Sequence, residues 1–372
     1  MKKVGVIVNP VAGMGGRVGL KGSDGIDTLR KARELGAVPE SPRRAVDALK
    51  IVSTIKNRIE VITYPHEMGE DESRECGFCP TVIGSIRSGE TTPEDTETAA
   101  REMAGAGVDL ILFAGGDGTA RIIYNAVGDK IAVLGIPAGV KIHSAVYAVT
   151  PRHAGEVAVR FLQGGLQRVR ESEVMDVDEE AFREDQISAR LYGYLKVPEE
   201  RRFVQRAKSG GIHCERETLQ GIAAGVIDGM EEDCFYIIGP GTTTRAIMEA
   251  LGIRNTLLGV DVILNKQLVA GDVSEGRLLD LIQGKRSKIV VTIIGGQGHI
   301  FGRGNQQISS RVIREVGKDR IIVIATKEKI ASLYGRPLLV DTGDEDLNRM
   351  LSGYMRVTTG FGECVMYKVG YG

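Results

Sequence analysis

The residues whose types and spacing fit a chemical role most clearly are Gly115-Gly116-Asp117-Gly118-Thr119. They follow an apolar run, 108–114, that predicts a buried parallel strand. Glycines at a strand end let a backbone or a phosphate come close, because no Cβ stands in the way. A helix over 119–127 would start at the same point, and its first N–H groups favour an anion. In open α/β sheets, ligands bind outside the carboxyl ends of the strands. A phosphate cradle beside one fixed carboxylate is the outline of a phosphotransferase site. Aspartate is also a common helix N-cap, but a cap has no need of glycines on both sides.

Other segments offer partners for that chemistry. The first loop contains Asn9, Gly13, Gly15, Gly16, Arg17 and Lys21. Its glycine–lysine spacing is not that of a P-loop, and Val18 stands where a dinucleotide fingerprint needs its last glycine. It suits phosphate binding through backbone N–H groups, with Arg17 and Lys21 adding charge; the alternative is a turn with solvated basic residues. Gly139, Lys141 and His143 follow another predicted strand. His143 could bond a substrate hydroxyl, carry a proton or pack. Gly241, Thr242, Thr243 and Thr244 place three hydroxyls at a predicted helix start, fit for ribose, phosphate or a magnesium-bound water, or for an N-cap cluster. The loop 295–304 holds Gln297, His299 and Arg303 among five glycines, more than a structural turn needs. Cys76 and Cys79, with His66 nearby, have zinc-like spacing on one side only, and Cys214, Cys234 and Cys364 are scattered. No metal site is expected, and the acidic stretch 67–75 reads as a solvated loop.

The elements that must position these residues alternate. Residues 4–8 predict a strand, 26–35 and 43–50 helices, and 60–64 and 81–86 short strands. Thr92-Pro93-Glu94-Asp95 reads as a cap, a proline and first-turn acids, opening a helix to Met103. The strand 108–114, a helix, the strand 131–136 and the helix 151–164 complete an α/β, doubly wound parallel sheet over 1–168. Residues 170–235 are charged and lack a helical period, so a β-rich mixed second domain is expected over 169–359. Its apolar strands fall at 234–238, 288–294 and 321–325, the first running into a helix that ends near Leu251.

Composition narrows the function classes. A chain of 372 residues has room for two domains. A net charge of −1 gives no basic field for nucleic acid. No apolar run reaches the roughly 18 residues that span a bilayer, so no membrane partner is expected. The N-terminal apolar run is too short for a signal peptide. Five scattered cysteines do not form a disulfide framework, which points to a cytoplasmic protein.

Gly115-Gly116-Asp117-Gly118-Thr119 resembles the signature of the NAD kinase, diacylglycerol kinase and sphingosine kinase superfamily. Leu134-Gly135-Ile136 with Gly139, Thr150-Pro151 opening a helix, and the segment from Gly239 to Ala246 are similar to the NAD kinase branch. Pro137 stands where that branch has asparagine, and the loop 295–304 is similar to AcoX-like relatives. The likeness covers residues 1–265. It implies a cleft between the two domains and a last strand, about 360–372, that returns to the first. It implies ATP as donor, Mg²⁺ bound through phosphates, and NAD or a related small nucleotide as acceptor. In that scheme Asp117 orients or deprotonates the attacking hydroxyl, and Asp117→Asn abolishes turnover with the fold intact. Asn9, Gly13–Lys21 and Gly115–Thr119 cradle phosphate, while the 139–143, 241–244 and 297–299 residues face the acceptor. A homo-oligomer is expected. A lipid or sphingoid kinase with a large apolar pocket, and a non-catalytic nucleotide-binding regulator, are the alternatives.

Overall fold

The apolar runs become the centres of two sheets. The computed structural model describes residues 1–20, 26–139, 142–166, 168–177, 189–200, 215–256, 258–294 and 298–371. The chain divides into two compact units, Met1–Met14 with Gly22–Ala207, and Gly15–Lys21 with Lys208–Gly372.

In the first unit β1 (Lys2–Val8), β2 (Ile59–Thr63), β3 (Thr81–Val82), β4 (Leu110–Gly115), β5 (Ala132–Pro137), β6 (Val169–Val177) and β7 (Ala189–Pro198) form one sheet in the order β3-β2-β1-β4-β5-β7-β6. β1 to β5 pair in parallel. β4 is buried along its whole length, as a strand covered on both faces must be. Helices Ser41–Val52 and Pro151–Leu162 pack on each other, and so do Pro93–Gly105 and Asp117–Val127. Right-handed crossovers running in opposite directions from β1 and β4 put the two pairs on opposite faces. The order turns around between β1 and β4, which is a topological switch point. Thr92, the expected cap, forms a capping box with Asp95, and Thr150 Oγ1 caps the helix that begins at Pro151.

Three expectations change here. The hairpin β6–β7 belongs to the first sheet, because β7 pairs in parallel with β5 and buries Leu195 and Val197 in its core. The first unit therefore runs to Ala207 rather than ending at 168. The stretch 81–86 shortens to a two-residue strand. The acidic 67–75 stretch is not a solvated loop: Glu70–Glu75 is a helix that buries Glu72 and Ser73, with buried Met68 and Phe78 anchoring its two ends.

The second unit holds β8 (Phe235–Ile238), β9 (Asp261–Leu264), β10 (Gln267–Ala270), β11 (Ser287–Thr292), β12 (His299–Phe301), β13 (Ile321–Ile324), β14 (Leu338–Val340), β15 (Gly353–Gly360) and β16 (Glu363–Tyr371), in the order β10-β9-β8-β11-β13-β15-β16-β14-β12. β8, β11, β13 and β15 run parallel. The last strand does not join the first sheet. It folds back on β15 through the two-residue turn Phe361-Gly362, so local hairpin pairing wins over a long return. Among the described residues no helix is long and apolar enough to cross a membrane.

Candidate functional site

Register brings three loops of the first unit together. Val8 is level with Ala114, and Ala114 with Ile136. The chain therefore leaves β1 at Asn9, β4 at Gly116 and β5 at Ala138 side by side, at the switch point. Asn9 ties the first two loops: its backbone N–H donates to Ala114 O at 3.0 Å, and its Nδ2 donates to Thr119 Oγ1 at 3.0 Å. Thr119 is buried.

Gly115 and Gly116 of the signature serve chain-to-chain contact. A Cβ on Gly139 would lie 2.7 Å from Gly116 Cα, so two backbones touch where any side chain would part them. Gly13 lies against the same segment: a Cβ there would sit 2.3 Å from Ala138 O. Gly115 packs on Thr119. Tyr147, fully buried, donates its hydroxyl to Gly116 O and stacks edge-on to Phe113 at 5.4 Å.

Asp117 is not the helix cap. Gly116 holds that position in extended backbone, and Asp117 is the first helical residue. Its carboxylate instead reaches across to the loop after β5. Oδ2 accepts the His143 N–H at 2.8 Å and Oδ1 accepts the Ser144 N–H at 3.0 Å. His143 Nδ1 lies 3.3 Å from Oδ2. The two side chains keep 11% and 12% exposure, so the pair is held firmly yet can still be reached by a small molecule. Ser144 in turn accepts the Met175 N–H on β6 at 2.9 Å, fixing the loop from behind. Gly118 follows Asp117 in the first turn, whose leading N–H groups have no intrahelical partner.

The other expected site residues fall in different places. Asn9, Gly13, Gly115, Gly116, Gly118, Thr119, Gly139 and His143 come together around Asp117. Gly15, Gly16 and Arg17 belong to the second unit: Gly16 packs on Gln306, and the Arg17 carbonyl accepts the Glu275 N–H at 3.1 Å. Also in that unit, Gly241 caps the helix Thr242–Ala250, and Thr243 and Thr244 are buried. His299 on β12 is fully buried, and Arg303 is buried beside it in sequence. The 298–304 glycines there have a structural use, since a Cβ on Gly302 would come within 1.8 Å of Asp341 O. Lys21, Lys141 and Gln297 lie outside the described residues.

Residues 4–166 match the family described as the ATP-NAD kinase N-terminal domain, and residues 231–369 match the ATP-NAD kinase C-terminal domain. The chain belongs to the NAD kinase-like superfamily. No curated protein gives a significant match. One solved structure, provisionally assigned as a diacylglycerol kinase of Bacillus anthracis str. Sterne, aligns at 19% identity with a TM-score of 0.21 over 48% of this chain and 46% of that chain. This chain thus spans about half the length of that structure, a likeness that bears on neither fold nor function.

Membership in the NAD kinase-like superfamily makes this a kinase-family chain with a nucleotide-binding fold. Two contributors at its Asp117 loop escaped the sequence. Ser144 acts through its backbone N–H, which residue type does not reveal. Tyr147 acts through a contact with a glycine carbonyl 31 positions away. Gly135 gave a faint signal for it: a Cβ at Gly135 would sit 2.3 Å from the Tyr147 ring.

Proposed function

We propose that the chain is an ATP-dependent phosphotransferase that places the γ-phosphoryl group on a hydroxyl of NAD or a related small nucleotide. Family membership supports the reading. The observation that carries it is the Asp117 carboxylate, held by two backbone N–H groups at the switch point, in the first turn of a helix whose leading amides favour an anion. Phosphoryl transfer demands positioning and charge stabilisation more than covalent chemistry. The Gly116–Thr119 amides, with Asn9 and Gly13, cradle phosphate. Gly139 and His143 face the acceptor. The acceptor oxygen bonds to the γ-phosphorus, the bond from that phosphorus to the bridging oxygen breaks with its electron pair leaving on ADP, and the hydroxyl proton passes to the Asp117–His143 pair. Both Asp117 oxygens already accept N–H bonds, a donor set that fits Mg²⁺ held by the nucleotide's phosphates rather than by a protein cage. Bound there, the ion supplies charge neutralisation.

A thermal-shift series with Mg²⁺–ATP, NAD, NADP and NADH tests the reading, because a ligand that binds the folded chain raises its melting temperature. Stabilisation by ATP and by NAD is expected. A response to ATP without NAD moves the acceptor to another hydroxyl compound, and no response to any nucleotide overturns the proposal.

A further inference from the structure

An ionised carboxylate only accepts hydrogen bonds, so every group that Asp117 holds must bring a proton. The Ser144 N–H donates to Oδ1 at 3.0 Å and the His143 N–H to Oδ2 at 2.8 Å. His143 Nδ1 lies 3.3 Å from the same Oδ2, and a bond there requires the ring proton on Nδ1. A neutral imidazole has one ring proton, so Nε2 is then the nitrogen with the lone pair. The fixed carboxylate thus selects the tautomer and orients the ring. The backbone around that ring is pinned from two directions. Asp117 holds the His143 and Ser144 amides from one side. From β6, Glu173 O accepts the Ala145 N–H at 2.7 Å, and the Met175 N–H donates to Ser144 Oγ at 2.9 Å. The close approach of Gly139 to Gly116 keeps the loop after β5 beside the helix start, and the His143 side chain keeps 12% exposure.

We infer that His143 Nε2 is the proton acceptor of the reaction and that Asp117 is the residue that positions it. The inference rests on the phosphotransferase reading of the same site. Giving the proton to Asp117 would ask one carboxylate for two tasks, because the oxygens that would take it already hold the loop. In the step, the acceptor O–H bond breaks and its proton bonds to the Nε2 lone pair. The oxygen bonds to the γ-phosphorus, and the bridging P–O electron pair leaves with ADP. The imidazolium that forms faces the Asp117 carboxylate, which stabilises it.

Phosphoryl transfer from Mg²⁺–ATP to NAD tests the assignment. His143→Asn keeps a side-chain N–H for Asp117 and both backbone bonds to the carboxylate, but has no basic nitrogen. Its kcat should fall about a hundredfold or more, with the KM for ATP within about twofold of wild type and the melting temperature unchanged. His143→Gly leaves room for an added base, and imidazole should raise its rate at least about tenfold, in the order of basicity across substituted imidazoles. Asp117→Asn should gain nothing from imidazole, because its own ring still fills the place. The imidazole series decides even where a variant is less stable. A kcat for His143→Asn within about twofold of wild type overturns the inference and leaves the phosphotransferase reading standing. So does a His143→Gly rate that imidazole does not change, or an equal gain in Asp117→Asn. A wild type that transfers no phosphoryl group overturns both.

Discussion

The loop after β4 and the loop after β8 start from the same elements and finish differently. Each follows a buried parallel strand, turns on glycine and opens a helix. In the first, a carboxylate leaves its own helix and clamps two amides of the neighbouring loop. In the second, hydroxyls stay at the helix start and a lysine from the helix after β13 joins them. The first loop is thus braced by charge-assisted bonds to backbone, and its geometry depends on them. The second is braced by hydroxyl hydrogen bonds, one of them from the Lys329 ammonium. Similar backbone layouts therefore take side chains of opposite charge, a carboxylate in one and an ammonium in the other, and the difference lies in which side chain crosses to the next strand end.

Removing the clamp should separate the two regions most sharply. Asp117→Ala leaves the His143 and Ser144 N–H groups without their acceptor, a loss of about 2–4 kcal/mol. That corresponds to a fall of several degrees in the melting temperature of the first unit, at about 2–4 °C per kcal/mol. Asp117→Asn falls between, because an amide can accept from one of the two N–H groups and opposes the other with a donor. Complete retention of the fold's stability is therefore not expected of it, and calorimetry on both variants measures the graded loss. Next in size is Gly139→Ala. Its Cβ would meet Gly116 Cα at 2.7 Å, and separating two backbones should cost about 1–3 kcal/mol, seen as a lower denaturation midpoint. Stability equal to wild type would show that the two loops are not in contact.

A third difference is read with pH. Burial pushes the Glu72 carboxyl up to about 8, with Asp71, Glu67 and Glu75 adding to the rise, from an ordinary value of 4.5. Between those two values the folded chain keeps a proton that the unfolded chain has lost. The stabilising contribution is complete below about pH 4.5 and fades as pH rises through about 8. The first unit should lose on the order of 1 kcal/mol per pH unit across that window. Glu72→Gln should flatten this dependence, with denaturation followed from pH 5 to pH 9. An unchanged slope in the variant would assign the effect to other groups.

Much of this was legible in the sequence. Apolar runs and glycine punctuation located β1, β4, β5, β8, β11 and β13 to within two residues at each end, because buried parallel strands are continuous in hydrophobicity. Asn9, Asp117 and the glycine signature were visible by type and spacing. The partition of the first glycine loop was not, since Gly13 packs on Ala138 while Gly16 packs on Gln306, and spacing carries no record of distant contacts. The hairpin β6–β7 was hidden by its charge: it alternates Glu171 and Glu173 with the buried Ser172 and Val174, a period-two pattern too short of apolar residues to stand out. The place of the last strand was set by a two-residue turn, a signal that Phe361-Gly362 gives only weakly. Lys329 meets Thr243 across 86 positions and could be found only from the fold.

The most direct measurement is phosphoryl transfer from ATP to NAD by the wild type and by Asp117→Asn, compared at a temperature where both are folded. The account predicts formation of phosphorylated NAD by the wild type and a fall of at least about a hundredfold in the variant, the usual span for a displaced proton acceptor. A variant that turns over at the wild-type rate would contradict it.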